Sequence, residues 1–437
     1  MKRKLKYDDD EVACKKKCLN DSVELNGNGH SESSSTSQLD YDPVHFLRCH
    51  SRNNDVADVQ TQVWQCAFEP DPYRQYRTTD IVATCGGNSV CFINVKEGEV
   101  VGKYYAEDKT EMFYSLAWTT LRNSWMNEGV RANILAVGGA KSTIHLIHHA
   151  NSVAFLKMTL KKGKKLVINS LLFHPLLANI LFCANSEGDI VVLDIGTPLP
   201  PDYSPKSSQL YMLSHKSEVI SLAFSIETGM LLAACSEGLA GWKVGSKELK
   251  KLKNTSDKFE LVEFTMPNTK SKAMGEQTTK LVDSVEVLEE GLVATKCALS
   301  GNIYIWNIKE SLSKGNYNVE PTHVLRWSDT DNYFMYMGYH RSAGLLACGD
   351  DKGALWLYNI HDLLRGGEGS EGVEVDPDLI LAWPALTDTY IDKKRKLSLD
   401  VYDIVVDKVA IHHEGEYIVA VTSNNMVCIW KRTSSPV

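Results

Sequence analysis

The segment nearest to a phosphate-binding loop is Gly138-Gly139-Ala140-Lys141-Ser142-Thr143. Such a loop needs a glycine just before the lysine and a strand–loop–helix frame, so that backbone N–H groups can cradle a phosphate. Ala140 stands where that glycine is required, and the flanking residues read strand–turn–strand. Nucleotide binding is therefore not expected. Cys14, Cys18 and His30 carry ligating atoms, but they lie in a polar tail without a second cysteine pair, and no metal site is expected there. His148–His149 and His412–His413 are adjacent pairs. Neighbours in a strand point to opposite faces, so neither pair suits joint ligation, and both are expected as turn or surface histidines. The chain has no Gly-x-Ser-x-Gly elbow and no His-Glu-x-x-His zinc motif. No enzymatic activity, metal or cofactor is expected. Three basic clusters remain: Lys2-Arg3-Lys4, Lys161-Lys162 with Lys164-Lys165, and Lys393-Lys394-Arg395-Lys396. They read as solvated loops or, functionally, as import signals or contacts to a nucleic-acid backbone.

The elements around these residues have the composition of a soluble fold. The 437 residues are 43% hydrophobic and 23% charged, enough for a sizeable core. A net charge of −8 disfavours a globally basic nucleic-acid binder. No apolar run approaches the roughly 20 residues needed to span a bilayer, and no membrane partner is expected. The N-terminus is polar and lacks the apolar core of a secretory signal. The 11 cysteines fall mostly in apolar runs, which suits reduced core residues better than a disulfide framework. Residues 1–55 are rich in charge and serine and are expected to be a disordered tail. Its last part, around His45–Cys49, and the start of the VWQCAF run at 63–68 are expected to belong already to the fold.

From residue 56 to 437 one unit recurs: an alternating apolar run, a short polar turn, and a second apolar run. Its endings are VCFINV at 90–95, TIHLIHH at 143–149, IVVLDI at 190–195, LAGWKV at 239–244, IYIWNI at 303–308, LWLYNI at 355–360 and VCIWKR at 427–432. Trp242, Trp306 and Trp430 occupy the position that names the WD repeat, and Tyr358 replaces the tryptophan in its unit. The mean spacing is about 56 residues against about 40–45 for an ordinary WD blade. The excess falls in polar insertions at 196–209, 245–282 and 362–400. Period-2 alternation gives each unit two apolar faces, which one unit cannot bury alone. The units must stack and close into an all-β, seven-bladed WD-repeat β-propeller.

Several separated segments carry a more specific signal. CGGNSVCFI at 85–93, FYSLAWTTL at 113–121, DIGTPLPPDY at 194–203, GLVATKCALSGNIYIWN at 291–307 and LLACGDDKGALWLYNI at 345–360 resemble the WD-repeat half of the leucine-rich-repeat and WD-repeat protein associated with the origin recognition complex. The resemblance covers roughly residues 60–432. It implies a nuclear chromatin scaffold that reads repressive methyl-lysine marks on histone tails and recruits the origin recognition complex to heterochromatin in DNA replication. The leucine-rich repeats of that family have no counterpart in this sequence, and nothing that rests on them is implied. The same stretch is more distantly similar to the Polycomb EED (extra sex combs) propeller. That similarity implies a methyl-lysine cage at Tyr114, Tyr333 and Phe334, with Val82 at the position of a missing fourth aromatic wall. It also implies the alternative of a subunit of a Polycomb methyltransferase complex; a WD scaffold without lysine reading is the third possibility.

A cage is chemically sound. A trimethylammonium group has no N–H to donate, and aromatic faces attract it at about 0.5–2 kcal/mol per contact. Aromatic residues are also common blade core, and that alternative stands beside the cage for all three aromatics. Tyr333 and Phe334 are adjacent, so both reach one site only from a loop or strand end, which the preceding Asp329-Thr330-Asp331-Asn332 suggests.

Overall fold

In a computed structural model, the protein is described at residues 39–52, 55, 58–122, 131–160, 166–200, 203, 207–251, 259–267, 269–271, 277–289, 291–315, 317–365, 372–384 and 404–433. Seven antiparallel sheets are built on four strands each, and one of them gains a fifth strand, Val373–Val375, in parallel. The first blade shows the order: Val63–Pro70, Thr78–Gly86, Ser89–Asn94 and Glu99–Tyr105, each paired with the next. The seven predicted endings are the third strands of the seven blades. Trp242, Trp306, Trp430 and Tyr358 are all buried there.

The seventh blade corrects the predicted boundary at residue 55. Its outer strand is Tyr41–Leu47, paired antiparallel to Val427–Arg432. The N-terminal strand therefore closes the ring, and the compact unit begins at Leu39. The disorder expected for residues 1–38 falls outside the described residues.

Each interface between blades holds its own apolar cluster, which is what the two-faced alternation demands. Between the seventh and first blades, Val63, Phe68, Val82 and Ile93 pack with Val419, Val421 and Ile429. Between the fifth and sixth, Ile303, Ile305 and Trp327 pack with Met337, Leu346 and Tyr358. The polar turn nearest to a phosphate loop in sequence joins Arg131–Gly139 to Thr143–His148. Gly139 is there for space: a Cβ on it would lie 1.8 Å from the Met112 carbonyl oxygen. Gly139→Ala is expected to cost about 1–3 kcal/mol through overpacking, measured by urea denaturation.

Three buried histidines and the half-buried His340 set a pH dependence. Burial moves His145, His174, His340 and His412 from 6.5 down to about 4. The unfolded chain therefore binds more protons than the folded one between these values. Stability carries no such penalty above pH 6.5 and declines as pH falls through 6.5 towards 4. Burial also lowers His148, His149, His323 and His413, in the same sense. Glu111 and Glu286, whose carboxyls burial pushes up, act in the opposite sense, two groups against eight. Thermal melting across this range is expected to show a falling Tm, and a rising Tm would contradict the assignment. His412 and His413 lie where the strand Val406–Ile411 runs into a turn, as one of the two expectations had it, but they are buried and not on the surface, with ring centroids 4.2 Å apart.

Candidate functional site

Six of the seven inner strands begin with the same irregularity. The register to the second strand shifts between Val63 and Gln65, Phe113 and Ser115, Ile168 and Ser170, Val219 and Ser221, Val282 and Ser284, and Val406 and Lys408. Each shift is a bulge, and a bulge re-aims the side chain of the extra residue. The bulged residues are Trp64, Tyr114, Asn169, Ile220, Asp283 and Asp407. They sit at one end of the ring, because every inner strand starts at that end. The sequence carries this signal as an apolar residue, a variable residue, then a small or polar one, as in Phe113-Tyr114-Ser115 and Val282-Asp283-Ser284.

These residues meet their neighbours across the blade interfaces. The half-buried rings of Trp64 and Tyr114 make an edge-on contact, with centroids 5.1 Å apart at an interplanar angle of 85°. Asn169 Nδ2 donates to the Val219 carbonyl of the next blade at 2.9 Å. Gln62 Nε2 donates to Asp407 Oδ1 at 2.6 Å, joining the first blade to the seventh. Trp64 is the residue that sequence reasoning passed over.

The sixth blade enters differently. Its inner strand is short, Gly338–His340, and a loop precedes it. Asp351 fastens that loop: its Oδ2 accepts from the backbone N–H of Asp331 at 2.8 Å and of Asn332 at 3.2 Å. Tyr333 and Phe334 lie in the loop, as their adjacency required. Phe334 has φ +68°, a left-handed conformation that breaks strand alternation. The two rings thereby lie side by side, with centroids 4.5 Å apart. Tyr333 is 46% exposed, whereas Phe334 is buried against Ile220 and Tyr336.

Asp283 anchors Phe334 from the fifth blade. Its Oδ2 accepts from the Phe334 backbone N–H at 2.9 Å and from Lys296 Nζ at 2.7 Å. On the other side of the loop, the Tyr336 N–H donates to the Asp407 carbonyl at 2.8 Å. A run of bonds thus leads from the Tyr333–Phe334 loop through Asp407 and Gln62 to the strand that carries Trp64.

Val82 does not share this end. It pairs with Phe68 and Ile93 in mid-strand and is fully buried between the first and seventh blades. It cannot wall an open site, which corrects its assignment as the fourth wall. Trp64, on the bulge beside Tyr114, is a further aromatic at the end of the ring where the inner strands begin, one mouth of the propeller's central channel. The basic runs Lys161, Lys162, Lys164, Lys165 and Lys393, Lys394, Arg395, Lys396 lie outside the described residues, as do Cys14, Cys18 and His30.

A family model described as the WD domain of leucine-rich repeat and WD repeat-containing protein 1 matches residues 32–433. The chain belongs to that family. It is 32% identical over 403 residues to leucine-rich repeat and WD repeat-containing protein 1 of Xenopus laevis, covering 89% of this chain and 53% of that protein. The human protein of the same name is 30% identical over 426 residues, covering 96% of this chain and 62% of its own length. The chain thus spans little more than half of the curated relatives it matches. Among solved structures, a chain of the Chaetomium thermophilum Polycomb Repressive Complex 2 superposes with a TM-score of 0.61 at 13% identity, covering 91% of this chain and 99% of that one. A humanized mutant of the same complex gives 0.62, also at 13% identity. Those likenesses establish a shared propeller fold and no more.

Proposed function

We propose that this family member is a non-catalytic, nuclear chromatin scaffold whose channel mouth reads methyl-lysine on histone tails. The observation that carries the reading is the edge-on pair Trp64–Tyr114 at the end of the ring that also holds Tyr333 and Phe334. Two half-buried aromatic faces and one exposed tyrosine offer a quaternary ammonium the quadrupole and apolar contact it needs. The tail backbone would cross the mouth while the methylated side chain enters it. Other surfaces of the ring would recruit or stabilise the origin recognition complex on heterochromatin, in keeping with the resemblance to its associated family. The basic loops would add contacts to nucleic acid.

The shared fold with a Polycomb Repressive Complex 2 chain supports a second reading, a subunit of a histone methyltransferase complex. Affinity purification from nuclear extract with mass spectrometry separates the two. The scaffold reading expects origin recognition subunits and histones to co-purify. Recovery of a SET-domain methyltransferase without origin recognition subunits would favour the second. Recovery of neither would leave a WD scaffold of another complex.

A further inference from the structure

Cys49 follows the closing strand Tyr41–Leu47, and Cys91 lies in Ser89–Asn94 of the first blade. Their sulfur atoms and a ring nitrogen of the intervening His50 all lie within 4.8 Å of one another. Cys91 Sγ is 4.0 Å from His50 Nδ1 and 3.2 Å from the Cys49 carbonyl oxygen, to which it donates. His50 is fixed at both nitrogens, Nδ1 to Ser89 Oγ and Nε2 to Thr84 Oγ1, each at 2.8 Å. With both nitrogens engaged by hydroxyls, the cluster suits thiol chemistry better than metal ligation. Lys103 Nζ donates to the Cys49 carbonyl at 2.6 Å, adding positive charge beside the pair.

The two thiols are unequal. Cys49 is half-buried, and Cys91 is fully buried. The hydrogen bond with Cys91, helped by His50 and Lys103, holds the Cys49 thiol well below its ordinary value against the effect of burial. Burial, reinforced by Cys49, pushes Cys91 well above it. A half-buried cysteine of lowered pKa beside a fully buried thiol is the arrangement of an attacking and a resolving cysteine.

We propose that Cys49 and Cys91 form an oxidation-sensitive pair, which a peroxide converts to a disulfide tying the closing strand to the first blade. The Cys49 thiolate attacks one oxygen of hydrogen peroxide. An S–O bond forms, the O–O bond breaks, and the departing hydroxide takes up a proton to leave as water. The Cys91 sulfur then attacks the Cys49 sulfur. The S–S bond forms, the S–O bond breaks, and the oxygen leaves as a second water with the Cys91 proton, for which His50 is the adjacent relay. Two thiols and one peroxide become one disulfide and two waters; sulfur is oxidised and peroxide reduced. The link would fasten the one blade whose strands come from both ends of the chain.

The test treats the reduced protein with hydrogen peroxide, alkylates remaining thiols and maps peptides by mass spectrometry. A Cys49–Cys91 cross-link is expected, reversed by dithiothreitol and formed at least about tenfold faster than any change at the buried Cys183, Cys235 or Cys348. In Cys91→Ser, Cys49 is expected to stop at the sulfenic acid and to be trapped by dimedone. Should that core substitution fail to fold, the wild-type cross-link decides alone. Absence of the cross-link, or Cys49 advancing to the sulfinic acid while Cys91 stays a thiol, overturns the proposal.

Discussion

Asp283→Ala is expected to destabilise the protein by about 3–5 kcal/mol, the cost of leaving a buried charge without its partner. Asp283 and Lys296 are both fully buried, with Nζ and Oδ1 2.6 Å apart. Lys296 Nζ also lies 4.5 Å from the centroid of the Trp327 ring. That contact cannot replace a carboxylate, so the ammonium is left desolvated when the carboxylate goes. Replacing both partners, as in Asp283→Leu with Lys296→Met, removes the orphaned charge and is expected to recover most of the loss. The pair also bears on the site, because the same carboxylate accepts the Phe334 N–H. Both variants should therefore weaken peptide binding, although only the single one is strongly destabilised. Urea denaturation reads the first effect and peptide titration the second. A single variant within about 0.5 kcal/mol of the parent would contradict the buried-pair account.

The second large effect concerns the mouth itself. Trp64→Ala with Tyr114→Ala is expected to reduce affinity for a trimethyl-lysine peptide by about 2–4 kcal/mol, roughly 30-fold to several hundred-fold. Each single substitution should cost about 1–2 kcal/mol, with tryptophan the larger because its face carries the stronger quadrupole. Folding should suffer less than binding, since both rings are half-buried and neither belongs to the clusters between blades. Val82→Ala makes the converse control. It opens a cavity between the seventh and first blades and should lower stability by about 1–3 kcal/mol without selective loss of the trimethylated peptide. Isothermal titration of the variants at matched folding separates these outcomes. Trimethyl-peptide affinity unchanged in the double variant would remove the aromatic pair from any reading role.

Much of the ring was legible in the sequence because the inner three strands of each blade are buried and alternate. Met230–Cys235 is buried at every residue, and its successor carries the buried Trp242. The fourth strands were not legible. Glu99–Tyr105 is largely exposed, so no apolar pattern marks it. Leu261–Phe264 and Leu379–Leu381 lie within stretches that composition assigns to polar insertions. Tyr41–Leu47 is held by a partner strand from the other end of the chain, and local sequence carries no trace of that pairing.

The site was half legible. Tyr333 and Phe334 required a loop, and the loop exists; the left-handed turn at Phe334 that brings the rings together needed coordinates. Val82 is a strand-core position, whereas the mouth is built from bulges at strand starts. Val63-Trp64-Gln65 and Phe113-Tyr114-Ser115 share that bulge signature, and comparing the blades with one another would have found Trp64.

The central claim is that the aromatic mouth distinguishes a methylated from an unmethylated lysine. Its most direct measurement is a calorimetric titration of the intact chain with histone-tail peptides that differ only in the methylation of one lysine. The account predicts that a peptide trimethylated at a repressive site binds at least about tenfold more tightly than its unmodified twin. Equal affinity for every such pair, or no binding by any, would contradict it.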